Sequence, residues 1–168
     1  MRIRPAVPED AMAVARVHVC SWQVAYRELL PDAYLDALRP EERAAKYDFT
    51  HADVQVPYTL VGEIDGEIAG FATTMPARNV EMKGYGELCA LYLDAAYWGR
   101  GMGSALHGAA CEHLRGRGFE RALLWVLAGN RRAERFYEAK GWRADGMLRR
   151  DTVWDVEVEE TRYLRRLA

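Results

Sequence analysis

The sequence predicts an α/β fold of the α+β type, in which about seven strands form a mixed sheet with helices on its faces. Three observations predict it. Residues 1–50 carry apolar side chains mostly at helical spacing, residues 56–93 are β-rich, and the remainder alternates apolar strands with helical segments. A mixed sheet covered by helices is the architecture that this order favours.

The first fifty residues are predicted to be mostly helical. Residues 1–5 form a short strand candidate, and Pro8 opens a helix that continues to Tyr26. Two shorter helices are predicted at residues 31–38 and 41–47, because Pro31 and Pro40 interrupt the pattern.

The sequence pattern then changes from helical to that of β-strands. Asp65-Gly66 is a strong hairpin signal, and it joins predicted strands at residues 56–64 and 67–75. Residues 88–93 are almost entirely apolar, as is typical of a central strand that is covered on both faces.

The last third alternates helix and strand. Helices are predicted at residues 104–117 and 130–140, with a buried strand at residues 122–127 between them. Residues 142–148 and 153–164 look like a closing antiparallel pair. The final strand could also pair two subunits, so a homodimer is a possible assembly.

Length and charge narrow the class of protein. The chain has 168 residues, and its 23 basic and 25 acidic residues give a formal net charge of −2. Residues 1–168 are expected to form a single domain. The charge balance argues against a nucleic-acid partner. No apolar run has the length of a membrane span. Residues 1–12 do not contain the apolar run of a secretion signal, so none is expected. We expect a soluble, cytoplasmic protein.

The cysteine content argues against a disulfide framework or a metal site. The chain has three cysteines, an odd number, and none of them lies in a CxxC motif. No metal is therefore expected.

A glycine-rich turn follows the central strand. Gly99, Gly101 and Gly103 precede a predicted helix, whose first N–H groups are unpaired and partly positive. Glycine lets a ligand approach the backbone, so the turn suits an anion, most naturally a pyrophosphate, with Arg100 and Ser104 in support. The alternative is that these glycines only shape the turn.

The turn fits neither common nucleotide motif. The glycine spacing departs from the Rossmann fingerprint, and no Gly-Lys-Ser/Thr of a P-loop is present. A different nucleotide-bearing cofactor, such as coenzyme A, is therefore indicated.

A second motif begins about thirty residues downstream. Asn130 is placed to cap a helix, and Tyr137 lies two turns later on nearly the same face. Taken alone, Phe136 and Tyr137 would be core aromatics.

Together, the two motifs resemble those of the GNAT superfamily of N-acetyltransferases. The family's loop pattern is Gln/Arg-x-x-Gly-x-Gly/Ala, and the sequence has Trp98 to Gly103 there. The family's second pattern is Asn-x-x-Ala-x-x-Phe/Leu-Tyr-x-x-x-Gly-Phe. It is matched by Asn130, Ala133, Phe136, Tyr137, Gly141 and Trp142. Trp98 replaces the usual Gln or Arg, so one polar contact to the cofactor is expected to be missing.

The resemblance implies a mostly antiparallel sheet with helices on both faces, and acetyl-CoA as co-substrate. It implies that the backbone of Leu91, Tyr92 and Leu93 pairs with the pantetheine arm and that Asn130 hydrogen-bonds the same arm. It implies that main-chain N–H groups hold the pyrophosphate, namely those of Gly99, Arg100, Gly101, Met102, Gly103 and Ser104. Tyr137 would protonate the leaving thiolate.

Acetyl transfer to an amine also needs an oxyanion donor and a base. The Leu93 N–H is the candidate donor. Many family members place a Glu on the strand before the second motif, but residues 124–126 carry no carboxylate. Glu87 is the best substitute, directly or through a water, and the alternative is a solvated strand-end Glu. Because the cysteines lie in predicted strands and helices, direct attack in a ternary complex is favoured over an acyl-cysteine.

The acceptor pocket is expected between the N-terminal helices and the later strands. Its candidate aromatic walls are Trp22, Tyr26, Tyr34, Trp125 and Trp154, and its candidate acidic groups are Glu81, Glu87 and Asp155. The acceptor would be a small-molecule or peptide amine. A non-catalytic acyl-CoA-binding sensor on the same fold is the alternative function.

Overall fold

The computed structural model describes residues 1–51, 53 and 55–167 of the chain. Its strands form one sheet in the spatial order β1-β2-β3-β4-β5-β7-β6. They are β1 (Arg2–Pro5), β2 (Tyr58–Ile64), β3 (Glu67–Pro76), β4 (Gly86–Leu93), β5 (Arg121–Leu127), β6 (Arg143–Val153) and β7 (Val156–Arg166). All neighbouring pairs are antiparallel except β4 and β5, which are parallel. The predicted mixed, mostly antiparallel sheet is confirmed.

Helices cover both faces of this sheet. They are α1 (Ala11–Ala25), α2 (Asp32–Ala37), α3 (Pro40–Ala44), α4 (Met102–Gly116) and α5 (Arg131–Ala139). On one face, α1 buries Val14 and Val17 against β2 and β3. On the other face, α4 buries a stripe at helical spacing that includes Leu106, Ala110 and Leu114. The sheet is therefore the middle layer between two helical layers.

Two glycines let α4 and its neighbours approach the sheet closely. A Cβ at Gly62 would overlap the sulfur of Met102 on α4. A Cβ at Gly70 would lie 2.9 Å from the Tyr92 carbonyl oxygen and 3.0 Å from Leu93 Cγ. Gly70 thus keeps β3 against the end of β4, where the candidate site lies.

The closing hairpin is tighter than the sequence predicts. β6 continues through residues 149–152, which the sequence pattern assigns to a loop, and includes Val153, which the pattern assigns to the last strand. Trp154-Asp155 alone joins β6 to β7. Both turn residues have positive φ, 51° and 63°, as a two-residue type I′ turn requires. The turn was missed because it lacks the usual Asn-Gly or Asp-Gly signal.

The final strand, β7, lies between β5 and β6, so the expectation that it has a free edge to pair two subunits is wrong. β6 is the edge strand of the sheet. Met147 and Leu148 on it are exposed. An open edge of this kind can pair with another chain, so the homodimer stays a prediction. None of the helices in the described ranges has both the length and the apolarity that crossing a membrane requires.

Replacing Gly70 with Ala is predicted to destabilise the fold by about 1–3 kcal/mol, because the new methyl group overlaps backbone that cannot move aside. Gly108→Ala is the matched control. It lies in the interior of α4 with open space around its Cβ position, and is predicted to stabilise by about 0.5–1 kcal/mol. Urea unfolding measures both values. Equal stabilities for the two variants would contradict the close approach at Gly70.

Candidate active site

The candidate site begins where the two parallel strands part. β4 and β5 pair only at Gly86–Ala122 and Glu87–Leu123, and beyond these positions they diverge. A bulge in the β3–β4 pairing lies just beyond this point and increases the local twist. The later peptide groups of β4 on this side therefore have no strand partner.

The Leu93 N–H points into the gap between the strands. The next N–H along the chain, that of Asp94, donates to the Ala69 carbonyl on the β3 side. Successive N–H groups of a strand point to opposite edges, so Leu93 and Leu91 both direct theirs toward β5. The Leu93 carbonyl accepts hydrogen bonds from Ser21 Oγ at 2.7 Å and Trp98 Nε1 at 3.2 Å. These bonds fix the end of β4.

The glycine turn forms a row of open main-chain donors. Gly99 and Gly101 have φ of 75° and 84°, and Gly101 is the N-cap of α4. The first helical bond runs from Ala105 N–H to Gly101 O. Among the described residues, no acceptor makes a close, well-aligned hydrogen bond to the N–H groups from Gly99 to Ser104. The Arg100 N–H points back across the tight turn at Trp98-Gly99. We call these six N–H groups the N–H cradle, and they form a site for an anion.

Trp98 takes part in the site without acting as a polar ligand. Besides its hydrogen bond to Leu93, its ring lies under Arg132, with the guanidinium carbon 3.3 Å from the ring centroid. Arg132 lines the same cavity as the cradle, and burial lowers its pKa. A cation from α5 therefore stands beside the position where the family pattern has Gln or Arg.

The second motif orients α5 toward the gap. Asn130 is its N-cap, and Asn130 Oδ1 accepts a hydrogen bond from Ala133 N–H at 3.2 Å. At the other end, Gly141 has φ of 86°, and the Trp142 N–H donates to the Tyr137 carbonyl. This Schellman ending explains the spacing between Tyr137, Gly141 and Trp142.

The Tyr137 side chain lines the cavity. Its ring packs edge-to-face against Phe136 and Trp142. Burial raises the pKa of the Tyr137 hydroxyl, and the neighbouring Tyr92 and Cys111 raise it further. The hydroxyl therefore keeps its proton at neutral pH, and it is a weaker acid than the reference value used in the sequence prediction.

One cavity of about 1060 Å³ joins the cradle, the gap and the space beneath α1. Most sequence-predicted site residues line it, namely Glu87, Leu91, Tyr92, Leu93, Gly99, Gly101, Gly103, Ser104, Asn130 and Tyr137. Arg100 and Met102 do not line it. Arg100 stacks on Tyr97, and Met102 is buried in the core. Four of the six cradle residues therefore line the cavity.

Glu87 is buried and ion-paired, so it is not the solvated strand-end residue of the alternative interpretation. Its side chain is 2% exposed, and its Oε1 lies 2.7 Å from Nη2 of Arg78. It lines the cavity but precedes Leu93 by six residues, about 20 Å along an extended strand. The structure therefore does not bring Glu87 and Leu93 together. If both act on one substrate, water must connect Glu87 to it.

The structure adds charged cavity residues that sequence reasoning missed, and two of them form a close pair. Glu160 and Arg149, on the closing hairpin, both line the cavity and form a 2.7 Å ion pair. Burial raises the pKa of Tyr26 and Tyr92, and the charge of Glu160 adds to both shifts. Glu160 therefore shares the cavity with both tyrosines. Local sequence carries no signal for it, because the strand is rich in Glu throughout.

His18 was also missed as a cavity residue. It is buried within an aromatic cluster, and its Nδ1 lies 2.7 Å from the Tyr47 hydroxyl oxygen. Its ring centroid is 4.6 Å from that of Tyr92 and 4.4 Å from that of Trp154. The wall that separates α1 from the gap is therefore aromatic.

Four of the five predicted wall aromatics line the cavity, namely Trp22, Tyr26, Trp125 and Trp154. Tyr34 lies behind the wall, where its hydroxyl donates to the Trp154 carbonyl at 2.6 Å. Glu81 and Asp155 are exposed and lie outside the cavity lining.

The cysteines are not poised as nucleophiles. Cys89 is half-buried and lines the cavity, and burial raises the pKa of its thiol. Cys111 lies in the core, and Cys20 is on the surface. No cluster of three or more potential metal ligands occurs within the described part of the chain.

Comparison with known proteins identifies the family. The Acetyltransferase (GNAT) family profile matches residues 22–142. An uncharacterised N-acetyltransferase of Bacillus subtilis (strain 168) is 35% identical over 129 residues, which cover 76% of this chain and 72% of that protein. Another from Archaeoglobus fulgidus is 37% identical over 145 residues, covering 85% of this chain and 93% of that protein.

A solved structure shares the fold. The PaiA N-acetyltransferase of Thermoplasma acidophilum, in complex with coenzyme A, superposes with a TM-score of 0.76 at 20% identity, covering 98% of each chain. The family match and the relatives carry the assignment, and this likeness supports the fold. The chain belongs to the GNAT acetyltransferase family and is an acyltransferase enzyme.

Proposed function

We propose that the protein transfers the acetyl group of acetyl-CoA to a primary amine, which attacks directly while both substrates are bound. One observation carries this proposal: four residues of the cradle, Gly99, Gly101, Gly103 and Ser104, line the same cavity as the parted strands and Tyr137. The coenzyme A complex of the PaiA structure supports the choice of cofactor.

The residues of the cradle suit a diphosphate. The N–H groups of the cradle have no close hydrogen-bond acceptor in the described structure. A Cβ added at Gly99 or Gly101 would have no neighbour within 4 Å. Arg132 would add a positive charge beside them. The gap-facing peptide groups of Leu91 and Leu93, with Tyr92 between them, would pair with the amide groups of the pantetheine arm. When bound, acetyl-CoA supplies the acetyl group as a thioester.

The Leu93 N–H would stabilise the negative charge that develops on the carbonyl oxygen during attack. Its direction into the gap supports this role, and the two hydrogen bonds to the Leu93 carbonyl hold the peptide group in place. A fixed donor of this kind costs no reorganisation when the charge appears.

Tyr137 would give its proton to the departing sulfur. Its hydroxyl keeps its proton until the reaction, and a thiolate that leaves into the same buried surroundings is likewise destabilised as an anion, which favours transfer of the proton to sulfur. Glu87 would accept the proton of the amine through intervening water, since its burial and its ion pair with Arg78 hold the carboxylate toward the cavity.

Free-thiol release across a panel of primary amines tests the proposal. Thiol should appear with acetyl-CoA and at least one amine, at a rate above slow hydrolysis. If coenzyme A binds but no amine of a broad panel releases thiol, the proposed reaction is wrong and the non-catalytic sensor is favoured.

Tyr137→Phe is predicted to lower kcat by about 10²–10⁴-fold, because it removes the proton donor and leaves the ring packing intact. The Kd for coenzyme A, measured by calorimetry, should stay within about twofold of the wild-type value. Tyr85→Phe, outside the cavity, is the control. An unchanged kcat in Tyr137→Phe would remove Tyr137 from the mechanism.

Glu87→Gln is predicted to lower kcat by about 10²–10⁴-fold at pH 7. The deficit should shrink as the pH rises toward the ordinary amine pKa of about 10.4, where the amine loses its proton without help. Glu81→Gln, on the exposed turn nearby, should match wild type at every pH. A deficit that does not depend on pH would contradict a role as base, and Glu160 would become the candidate.

Asn130 is predicted to serve two functions that substitutions can separate. Asn130→Ala loses the helix cap and should cost about 1 kcal/mol of unfolding free energy, whereas Asn130→Asp keeps an oxygen for Ala133 N–H and should not. Both variants lose the amide donor, so both should bind coenzyme A more weakly by about fivefold or more. Full affinity in Asn130→Asp would show that the residue is only a cap.

A further inference from the structure

The part of the cavity between the N-terminal helices and the later strands, which we call the acceptor side, contains a cation with no counter-charge. Arg43, on α3, lines the cavity, and its guanidinium carbon lies 4.6 Å from the ring centroid of Trp154 and 5.2 Å from that of Tyr47. Stacking on two rings holds a guanidinium in one orientation, and N–H groups that the rings do not cover can donate to a planar anion.

The other cavity arginines of the acceptor side are paired. Arg78 and Arg149 each have a carboxylate oxygen at 2.7 Å. In the ranges that the structure describes, no carboxylate comes within 4.0 Å of Arg43 or of Lys46, which also lines the cavity. Asp48 is close in sequence, but its carboxylate accepts the N–H and hydroxyl of Thr50.

The Nε of Arg43 adds a second sign of a missing partner. It is buried and has no hydrogen-bond acceptor in the described structure. Partial removal of a cation from water without a compensating anion costs free energy, and rule-breaking groups of this kind concentrate at functional sites. A ligand anion would supply the counter-charge that the chain itself does not.

The path from Arg43 to the gap is apolar. A series of ring contacts links Arg43 to Tyr92, from Arg43 to Trp154, from Trp154 to His18 and from His18 to Tyr92. Burial lowers the pKa of His18 well below its usual range, and the charge of Arg43 lowers it further, so this ring is neutral at pH 7. A molecule that reaches from Arg43 to the gap therefore contacts uncharged aromatic surface along its length.

We propose that the acceptor is an aminocarboxylate with an apolar body, whose carboxylate binds Arg43 while its amine reaches the gap beside Tyr92. Lys46 adds a second positive charge at the carboxylate end. This inference rests on the proposed function, because it assigns the class of amine that the same site acetylates.

Matched amines test the specificity. Aminoalkanoates of increasing length and 4-(aminomethyl)benzoate are each compared with the amine that lacks the carboxylate, by thiol release. At the best length, kcat/KM should favour the carboxylate by about 10- to 100-fold. Arg43→Gln should abolish the preference, Arg43→Lys should keep part of it, and the exposed Arg39→Gln should leave it unchanged.

A binding measurement tests the same claim without turnover. With coenzyme A present, tryptophan fluorescence is titrated with 3-phenylpropionate and with neutral 3-phenylpropanol. The carboxylate should bind at least tenfold more tightly in wild type but not in Arg43→Gln. Equal binding of the two probes, or an unchanged difference in the variant, overturns the inference.

The two proposals fail differently. Acetylation of amines with no carboxylate preference would overturn the aminocarboxylate assignment and leave the acetyltransferase proposal intact. Arg43-dependent binding of 3-phenylpropionate with no thiol released from any amine would overturn the proposed reaction and retain the carboxylate site.

Discussion

The parting of β4 and β5 is the constraint on which the rest of the site depends. Two neighbouring parallel strands ordinarily satisfy each other's peptide groups along their length, yet here the pairing stops after Glu87 and Leu123. The gap leaves β4 with a free edge in the middle of the sheet, and the helices that begin after β4 and β5 present their N-termini near it. The unpaired peptide groups of β4, the helix N-termini near them and the cavity therefore all follow from the point at which the pairing of β4 with β5 stops.

The local motifs could be predicted from the sequence because the backbone conformation of a single turn determines which residues it accepts. Positive φ at Gly101 and Gly141, and the cap at Asn130, are requirements of single turns, and they appear as fixed spacings in the sequence. Turn and helix-end rules therefore predicted the glycine turn before α4 and the cap of α5, whereas only the resemblance to the family singled out Tyr137. The order of elements was recovered for a similar reason, since each strand and helix carries its own periodicity.

The acceptor side was not predictable in the same way. Arg43 meets Trp154 across more than a hundred residues of sequence, and Glu160 matters only because β7 lies next to β5. Neither residue stands in a pattern that local rules read. The turn at Trp154 also could not be predicted from the sequence, because packing against His18 and Trp22 holds this tryptophan at positive φ. Burial likewise shifts the pKa of Tyr137 away from its reference value.

The central claim is that main-chain N–H groups of residues 99–104 are free in the protein and bind the diphosphate of the cofactor. Amide hydrogen exchange, resolved by NMR with and without coenzyme A, measures this directly. The account predicts fast exchange at these six amides in the free protein and strong protection in the complex. Protection already present in the free protein, or none gained on binding, would contradict it.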